Sequence, residues 1–308
     1  MPLVSVIMNV RNGASFIGEA IDSVLAQTFS DWELIVWDDC STDNSARIVG
    51  QYRDPRIRYF LSPEDTPLAP AREAAIGQAS AEWLAFLDQD DVWLPGKLQM
   101  QMALADHGVG IIYGRTVMFD ARRGNRCDYD YAHEFSALPE GDIFAQLFAE
   151  GCFIAMSSAV LLRSAVKEAG QIPSAIEVIP DYYLYAAIAR HYQARAVQPV
   201  VCRYRLHPGS MSRSHRARLQ QEPLLLLDQW AGCLDPRIVA YRRMTYSTAL
   251  ALEEMGSRKT LRAGIARLWS RGSLLWLLSR PLVRAWRIVR RKLGRPYWLA
   301  TELASGPG

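Results

Sequence analysis

Short apolar runs alternate with segments of helical periodicity over the first hundred residues, and this alternation restricts the fold more than any other feature of the sequence. Apolar residues recur at helical spacing from Phe16 to Leu25, and Pro70 lies near the start of another helix that reaches about Ala79. Between these two helices, Ser41 and Thr42 can cap a helix that reaches about Tyr52. Buried strands separated by helices predict an α/β fold with a mainly parallel sheet flanked by helices. The predicted strands are Val4–Val10, Leu34–Trp37, Arg58–Leu61 and Trp83–Leu87.

The rest of the chain continues this pattern and then changes character. Strand signals stop after about residue 214, and helical signals alone follow. We therefore predict a sheet-containing domain over residues 1–214 and a helical C-terminal region over residues 215–308. The further elements predicted in the first region are strands at 109–120 and 155–162, a helix at Asp181–His191 and an extended segment at Val197–Arg205.

Composition excludes several classes of protein. Half of the 308 residues are apolar, so a sizeable core is expected and disorder is not. The five cysteines show no zinc-site spacing, which favours free thiols in a reducing compartment. The N-terminus runs straight into a predicted strand, and no uncharged apolar run reaches about 18 residues. We therefore expect no signal peptide and no transmembrane helix, and we predict a cytoplasmic location.

The basic residues are concentrated near the C-terminus. Residues 255–301 contain twelve Lys and Arg but no Asp or Glu. Within this segment Leu282, Trp286, Val289 and Leu293 fall on one helical face, and Arg280, Arg284, Arg287 and Arg291 fall on the opposite face. This pattern predicts a helix lying on an anionic membrane surface, so the protein would be peripheral at the inner face of the membrane. The alternative is a helix packed on the protein with its basic face in solvent. No nucleic-acid motif accompanies the charge, so nucleic acid is not an expected partner.

Acidic side chains follow two of the predicted strands at the point where each strand ends. Asp88, Asp90 and Asp91 follow the fourth strand, and Asp38 and Asp39 follow the second. The carboxyl ends of parallel strands form the ligand-binding edge of such sheets. Hard divalent cations prefer carboxylate oxygens and share them with phosphates, so the first group is a candidate metal site. The alternative for this group is a solvated acidic turn. The second group can accept hydrogen bonds from a nucleobase or ribose, and its alternative is a cap of the next helix.

Four sequence blocks in order resemble glycosyltransferase family 2, and the resemblance extends over roughly residues 3–214. It implies a GT-A fold and an enzyme that transfers a sugar from a nucleotide donor with inversion of the anomeric centre. The blocks are Val4–Asn12, Gln27–Phe29, Trp32–Asn44, which contains Trp37-Asp38-Asp39, and Phe86–Pro95, which has the sequence FLDQDDVWLP.

The resemblance also implies roles for individual positions. The donor-binding positions are Asn9, Arg11, Asp39, Arg72 and Asp88, with Asp39 at the base-contacting position and Asp88 near the ribose. Asp90 and Asp91 match metal-binding acids, and Asp181 matches the general base. His207, in a segment that closes the domain near the phosphates, is assigned to metal or phosphate, although a structural role is the alternative.

Four positions depart from the family pattern. The residue before Asp181 is Pro180 where Glu is frequent, which leaves Glu177 as the nearest substitute for the general base. The other departures are Arg11 for a frequent Tyr, Cys40 for a frequent Gly and Glu73 for a usual Asn.

These features predict an inverting, Mn²⁺- or Mg²⁺-dependent glycosyltransferase. The donor would be a UDP- or dTDP-sugar, and the acceptor a saccharide or a lipid-linked saccharide. A nucleotidyltransferase is one alternative, but the loop Asn9–Gly13 lacks the glycine-rich, basic character of a phosphate loop. A non-catalytic nucleotide-sugar-binding membrane scaffold is another, and the presence of Asp88, Asp90 and Asp181 together disfavours it.

Overall fold

A computed structural model describes residues 2–120, 126–130, 136–211 and 215–256. The described residues form two compact units, one of residues 2–144 and 152–207 and one of residues 145–151 and 208–256. The strands are β1 (Val4–Val10), β2 (Trp32–Asp38), β3 (Ile57–Leu61), β4 (Trp83–Phe86), β5 (Val92–Trp93), β6 (Val109–Asp120), β7 (Arg126–Asp130), β8 (Val160–Leu162) and β9 (Gln193–Leu206). The helices are α1 (Ile17–Leu25), α2 (Ser45–Val49), α3 (Leu68–Gly77), α4 (Lys97–Met102), α5 (Phe144–Glu150), α6 (Arg163–Glu168), α7 (Pro180–Ala189), α8 (Arg218–Trp230) and α9 (Pro236–Gly256).

All the strands belong to one mixed sheet, with the order β3-β2-β1-β4-β8-β6-β9-β5 and β7 beside β6. The predicted α/β class is confirmed, and the predicted parallel arrangement describes the first four strands in sequence, in which Val6 lies between Leu34 and Ala85. Beyond β4 the sheet becomes mixed, because β8 starts at the edge where β4 ends and runs back antiparallel to it. Strand β9 is parallel to β6.

The core forms around β1. Its interior residues are buried on both faces of the sheet, as the unbroken apolar run of this strand predicts. Helix α1 covers one face with Ile17, Ile21 and Val24, which are fully buried because they recur at helical spacing. This packing fixes the positions at which the strands end, and the loops that carry the acidic residues begin there.

Local details differ from the sequence predictions in three places. The segment predicted as a strand at 155–162 is a strand only from Val160, because Met156–Ser158 forms a 3₁₀ turn. The extended segment predicted from Val197 begins at Gln193. Ser41 and Thr42 were expected to cap α2, but their polar groups hydrogen-bond to Asn12 instead.

The second unit is helical where it is described, and the helices pack through large apolar side chains. Phe148 of α5 contacts Trp230 of α8 with ring centroids 5.9 Å apart. Arg242 of α9 donates to the carbonyl oxygens of Phe148 and Ala149, both at 2.6 Å, so it satisfies carbonyls at the end of α5. Among the described residues, no helix combines the length and the apolar character that crossing a membrane requires. The predicted basic amphipathic helix lies outside the described residues.

One lysine is buried in the core of the first unit. Lys97, at the start of α4, donates from Nζ to Oε1 of Gln101 at 2.7 Å and lies 4.0 Å from the ring centroid of Trp93. Burial lowers the pKa of Lys97 to about 7, and the neighbouring Cys202 thiol opposes this shift only in part. The native state therefore favours the neutral amine at a pH where an exposed lysine is charged.

This buried amine predicts a pH dependence of stability. Lys97 keeps its proton to about pH 10.5 in the unfolded chain but loses it from about pH 7 in the native state. The unfolded state binds more protons between these values, so the free energy of unfolding should rise with pH, by at most about 1.4 kcal/mol per pH unit. Urea unfolding from pH 7 to pH 9 should show this rise in the wild type but not in Lys97→Met.

The exposed Lys167 of α6 provides the matched control. Lys167→Met should retain the pH dependence of the wild type. Parallel pH profiles for the wild type and Lys97→Met would show that Lys97 does not titrate in this window.

Candidate functional site

The loops that follow β1, β2 and β4 meet at one edge of the sheet. The loop after β1 is tied to the acidic turn after β4 by two hydrogen bonds between the Gln89 side-chain amide and the Arg11 backbone. The backbone N–H of Arg11 donates to Oε1 of Gln89 at 3.0 Å, and Nε2 of Gln89 donates to the backbone carbonyl of Arg11 at 3.1 Å. Gly13 makes room for this pair, since a Cβ atom there would lie 2.2 Å from Oε1 of Gln89. Two separate sequence motifs are thereby held in one site.

The loop after β2 is tied to the loop after β1 in the same way. The Asn12 N–H donates to Oγ of Ser41, and Oδ1 of Asn12 accepts from the Thr42 N–H. Asn12 and Cys40 adopt φ values of 51° and 54°, in the left-handed region that glycine favours. This backbone conformation explains why glycine is frequent at the position of Cys40 in the family that the sequence resembles.

Asp38 and Asp39 are adjacent in sequence and both are buried, but their carboxylates have different partners. Asp38 is buried, and its carboxylate accepts hydrogen bonds from the Ser41 N–H at 2.8 Å and the Tyr59 hydroxyl at 2.7 Å. Asp38 therefore stabilises the loop after β2, but it does not cap α2, which begins at Ser45. Asp39 accepts from the N–H and hydroxyl of Thr66, both at 3.1 Å, and its other oxygen lies 3.5 Å from the Arg11 guanidinium.

Arg11 and Asn9 occupy the same end of the site. Half of the Arg11 side chain is exposed, and it pairs with Asp65 as well as Asp39. Asn9 lies beside Trp37 across the β1–β2 ladder. Within the described part of the chain, Nδ2 of Asn9 and Nε1 of Trp37 are buried donors without a hydrogen-bond partner. Buried donors of this kind are rare in proteins, so these two are candidates for hydrogen bonds to a ligand.

Asp88 faces a buried guanidinium. Only 5% of the Arg72 side chain is exposed, and its guanidinium lies 3.5 Å from Asp88. Surrounding protein raises the pKa of Asp88 to about 6, although 39% of its side chain still faces solvent. The negative charges of Asp90 and Asp181 also raise this pKa, whereas Arg72 lowers it. These three acids therefore lie close enough to interact electrostatically.

Asp90 pairs with a histidine from a distant strand. Oδ2 of Asp90 lies 2.7 Å from Nε2 of His207, which follows the end of β9. The imidazole packs against Phe16, with ring centroids 4.8 Å apart. The structure thus brings together one carboxylate and one imidazole that are separated by more than a hundred residues in the chain.

Asp91 points away from this pair. Its side chain is buried; Oδ1 accepts from the Arg205 N–H at 2.9 Å, and Oδ2 accepts from the Ser157 hydroxyl at 2.5 Å. Burial and the charges of Asp90 and Asp88 raise the pKa of Asp91 well above its usual range. A metal-binding role for Asp91 stays a prediction, and each of its oxygens already accepts a hydrogen bond from the protein.

The donor groups at the acidic turn suit a divalent cation in part. Among the described residues, no three His, Cys, Asp or Glu side chains are grouped so that they could hold a metal ion on their own. Asp90 and His207 supply a carboxylate oxygen and an imidazole nitrogen next to each other. Both are ligands of Mn²⁺-type ions, and such ions take further ligands from phosphate and water, so these residues fit a metal that arrives with a diphosphate.

Asp181 lies in the first turn of α7, directly after Pro180 at the helix start. Its negative charge raises the pKa of Asp88 and also that of Cys152, which places it near both. Glu177, the substitute considered for its role, is exposed. The functional roles of all these residues stay predictions.

Sequence reasoning missed two residues that contact the acidic turn. Ser157 lies in the 3₁₀ turn and Arg205 in β9, and both bond to the turn. Arg205 has a weak sequence signal, because it lies two residues before His207 and residues two apart in extended chain share a face. Ser157 has none, since a serine within an apolar run does not reveal its distant partner.

Comparison with known proteins agrees with the resemblance found in the sequence. The model of glycosyl transferase family 2 matches residues 5–170. A relative from Escherichia coli, UDP-Glc:alpha-D-GlcNAc-diphosphoundecaprenol beta-1,3-glucosyltransferase WfgD, is 30% identical over 71% of this chain and 83% of its own.

Solved structures show the same fold at low sequence identity. TarS of S. aureus in complex with UDP-GlcNAc has a TM-score of 0.60 and 17% identity, over 88% of this chain and 73% of its own. The mannosyltransferase PcManGT of Pyrobaculum calidifontis, in complex with GDP-Man and Mn²⁺, has a TM-score of 0.59 and 21% identity, over 94% and 80% of the two chains. The expected GT-A fold is thereby confirmed.

The two adjacent aspartates after β2 provide a matched test of the site. Asp39→Ala should weaken UDP binding by roughly 1–3 kcal/mol, the contribution of a hydrogen bond to a charged group. Each variant also leaves two donors without their acceptor: the Ser41 N–H and the Tyr59 hydroxyl in Asp38→Ala, and the N–H and hydroxyl of Thr66 in Asp39→Ala. Both should therefore lower the free energy of unfolding, and Asp39→Ala alone should also weaken UDP binding. Isothermal titration and thermal unfolding measure the two effects. If Asp39→Ala causes the larger loss of stability, Asp39 is a structural residue and the pocket assignment is wrong.

Proposed function

The chain belongs to glycosyltransferase family 2, and we propose that it transfers a sugar from a UDP- or dTDP-sugar to a hydroxyl group of a saccharide or lipid-linked acceptor, with inversion of the anomeric centre. The observation that carries this proposal is the electrostatic proximity of Asp88, Asp90 and Asp181 beside the buried Arg72. A transferase of this kind needs both a diphosphate site and a separate proton acceptor, and these acids supply both. Membership of the family favours glycosyl transfer over nucleotidyl transfer.

The nucleotide is proposed to bind between the loops after β1 and β2. Asp39 would accept hydrogen bonds from the base in place of Thr66, and the free Nδ2 donor of Asn9 would bond to an acceptor on the nucleotide. Arg11, which already pairs with acidic groups here, would contact the ribose or phosphate. The UDP-sugar in the name of the E. coli relative and the UDP-GlcNAc bound by TarS support a uridine donor.

The diphosphate is proposed to bind at the acidic turn together with Mn²⁺ or Mg²⁺. Asp90 and His207 would hold the metal, and Asp88 would contact the ribose beside Arg72. A metal bound there neutralises negative charge that develops on the departing diphosphate. The cation in the PcManGT complex supports this part of the proposal. Arg72 is a buried, permanently charged group, so it would also attract the diphosphate.

Asp181 is proposed to be the general base. A carboxylate close enough to Asp88 to shift its pKa would accept the proton of an acceptor hydroxyl as that oxygen attacks the anomeric carbon. The bond to the diphosphate oxygen breaks as the new bond forms, so a single displacement inverts the configuration. The position of Asp181 at the start of α7 favours the ionised form of its carboxylate, because helix N-termini stabilise negative charge.

The acceptor and the cellular location are also part of the proposal. The E. coli relative is named for a diphosphoundecaprenol-linked acceptor, which supports a lipid-linked acceptor here. Such acceptors reside at a membrane surface, and the basic segment 255–301 would hold the enzyme at the inner face of that membrane.

The metal assignment predicts how nucleotide binding depends on divalent cations. Wild-type protein should bind UDP at least about tenfold more tightly with Mn²⁺ than with excess chelator, because the diphosphate otherwise faces the carboxylates of the turn. Asp90→Asn should lose most of this difference, as isothermal titration would show. The exposed Asp106 provides the control, and Asp106→Asn should bind as the wild type does. Equal wild-type affinity in chelator would overturn the metal proposal.

The assignment of Asp181 predicts a loss of turnover without a loss of donor affinity. Asp181→Asn is nearly isosteric but cannot accept the proton, so turnover should fall about 10²-fold or more. UDP affinity should remain close to that of the wild type. NMR coupling constants of the wild-type product should show an inverted anomeric configuration.

Glu177→Gln is the control for this prediction and should turn over normally. Normal turnover of Asp181→Asn with a loss in Glu177→Gln would move the base to Glu177. A retained anomeric configuration would contradict the single-displacement mechanism.

A further inference from the structure

A single buried hydroxyl joins the two ends of the acidic turn. Oγ of Ser157 accepts a hydrogen bond from the Asp88 N–H at 3.0 Å and donates to Oδ2 of Asp91 at 2.5 Å. Asp88 and Asp91 are the first and last residues of the turn, and Asp90 lies between them. The geometry of this turn therefore depends on a side chain that follows it by almost seventy residues.

The backbone that carries this hydroxyl is held by hydrogen bonds to two successive carbonyl groups. The carbonyl oxygen of Ser157 accepts from Nε1 of Trp93 at 2.6 Å, and that of Ser158 accepts from Nε2 of Gln101 at 2.7 Å. Only 1% of Ser157 is exposed to solvent. Because both neighbouring carbonyls are fixed by buried donors, the position of the hydroxyl is determined by the core and not by solvent.

The opposite side of the turn is held by Arg205. Its backbone N–H donates to Oδ1 of Asp91 at 2.9 Å, and its side-chain Nε donates to the backbone carbonyl of Asp90 at 2.7 Å. The guanidinium also pairs with Glu19. The turn is thus held from two sides, with Asp91 bonded to both Ser157 and Arg205.

The same 3₁₀ turn also contacts the helix that carries Asp181. The Tyr185 hydroxyl lies 3.2 Å from Sδ of Met156, and Tyr185 is one turn after Asp181 in α7. Met156 and Ser157 are adjacent, so one short segment contacts both the acidic turn and the helix of the proposed base.

We propose that Ser157 is a positioning residue that sets the placement of Asp88 directly and of Asp90 through Asp91, without touching the donor or the metal. This inference rests on the proposed function. In this arrangement the two aspartates that enter the site face the ligand, while Asp91 acts inside the protein as a hydrogen-bond acceptor. Groups that orient metal-binding residues in this way typically change metal affinity or activity by about 10–100-fold when they are removed.

The neighbouring serine makes a matched comparison possible. Ser158 is fully buried in the same 3₁₀ turn, but its hydroxyl donates only to the Ala155 carbonyl, at 2.8 Å. Ser157→Ala and Ser158→Ala each remove one buried hydroxyl, and each should lower the melting temperature, Ser157→Ala more because its hydroxyl makes two hydrogen bonds. Ser157→Ala alone should weaken Mn²⁺-dependent binding of UDP, by about tenfold or more.

The experiment measures UDP binding by isothermal titration with Mn²⁺ and with chelator, for the wild type and both variants, well below their melting temperatures. Turnover should show a raised KM for donor and Mn²⁺ in Ser157→Ala, with the KM for acceptor unchanged. If Ser157→Ala does not fold, Ser157→Cys retains the size of the side chain with a weaker donor, and it should show the same loss to a smaller degree.

Two outcomes would overturn the inference. Equal loss of binding in Ser157→Ala and Ser158→Ala would reduce both serines to a structural role, and wild-type binding by Ser157→Ala or by the folded Ser157→Cys would remove the positioning role. The failure of the proposed function looks different, because the wild type itself would then show no Mn²⁺-dependent binding of UDP or dTDP.

Discussion

The concentration of negative charge at one edge of the sheet is the constraint on which the rest of the site depends. Asp88, Asp90 and Asp181 lie within electrostatic reach of one another, and burial and mutual repulsion raise the pKa of Asp88 to about 6. Such an arrangement is unfavourable unless cations and hydrogen-bond donors compensate for it. The buried guanidinium of Arg72 provides one compensation, and the imidazole of His207 next to Asp90 provides another.

The sheet explains why these groups can be held so closely. Parallel strands end at a common edge, so the residues after β1, β2 and β4 are neighbours whatever their separation in the chain. Reciprocal contacts then fix the loops to one another, as in the amide pair between Gln89 and the backbone of Arg11. The second half of the sheet contributes through β9, which delivers Arg205 and His207 to the same turn. The acidic site is therefore assembled from both halves of the sheet.

The sequence predicted the strands and the acidic edge because both depend on local patterns. Buried apolar runs identify β1, β2 and β4, and the acids that follow β2 and β4 lie where parallel strands end. The pattern could not assign roles within a pair of acids. Asp38 accepts from the Tyr59 hydroxyl and Asp39 faces Arg11, a difference set by side-chain direction where the strand ends. It could not identify Ser157 either, because a hydrogen bond across 69 residues leaves no periodicity in the sequence.

Asp91 shows how an additional acid can be accommodated in a turn that already holds two. A third carboxylate facing the ligand would increase the repulsion among the acids, but this side chain points into the protein. Burial and the neighbouring charges raise its pKa well above the usual range, so the charged form of this carboxyl is disfavoured. Its oxygens still accept hydrogen bonds from Arg205 and Ser157, which polar groups in a buried turn require. Asp91, for which the sequence predicts a metal-binding role, is therefore also placed to hold Asp88 and Asp90 in position.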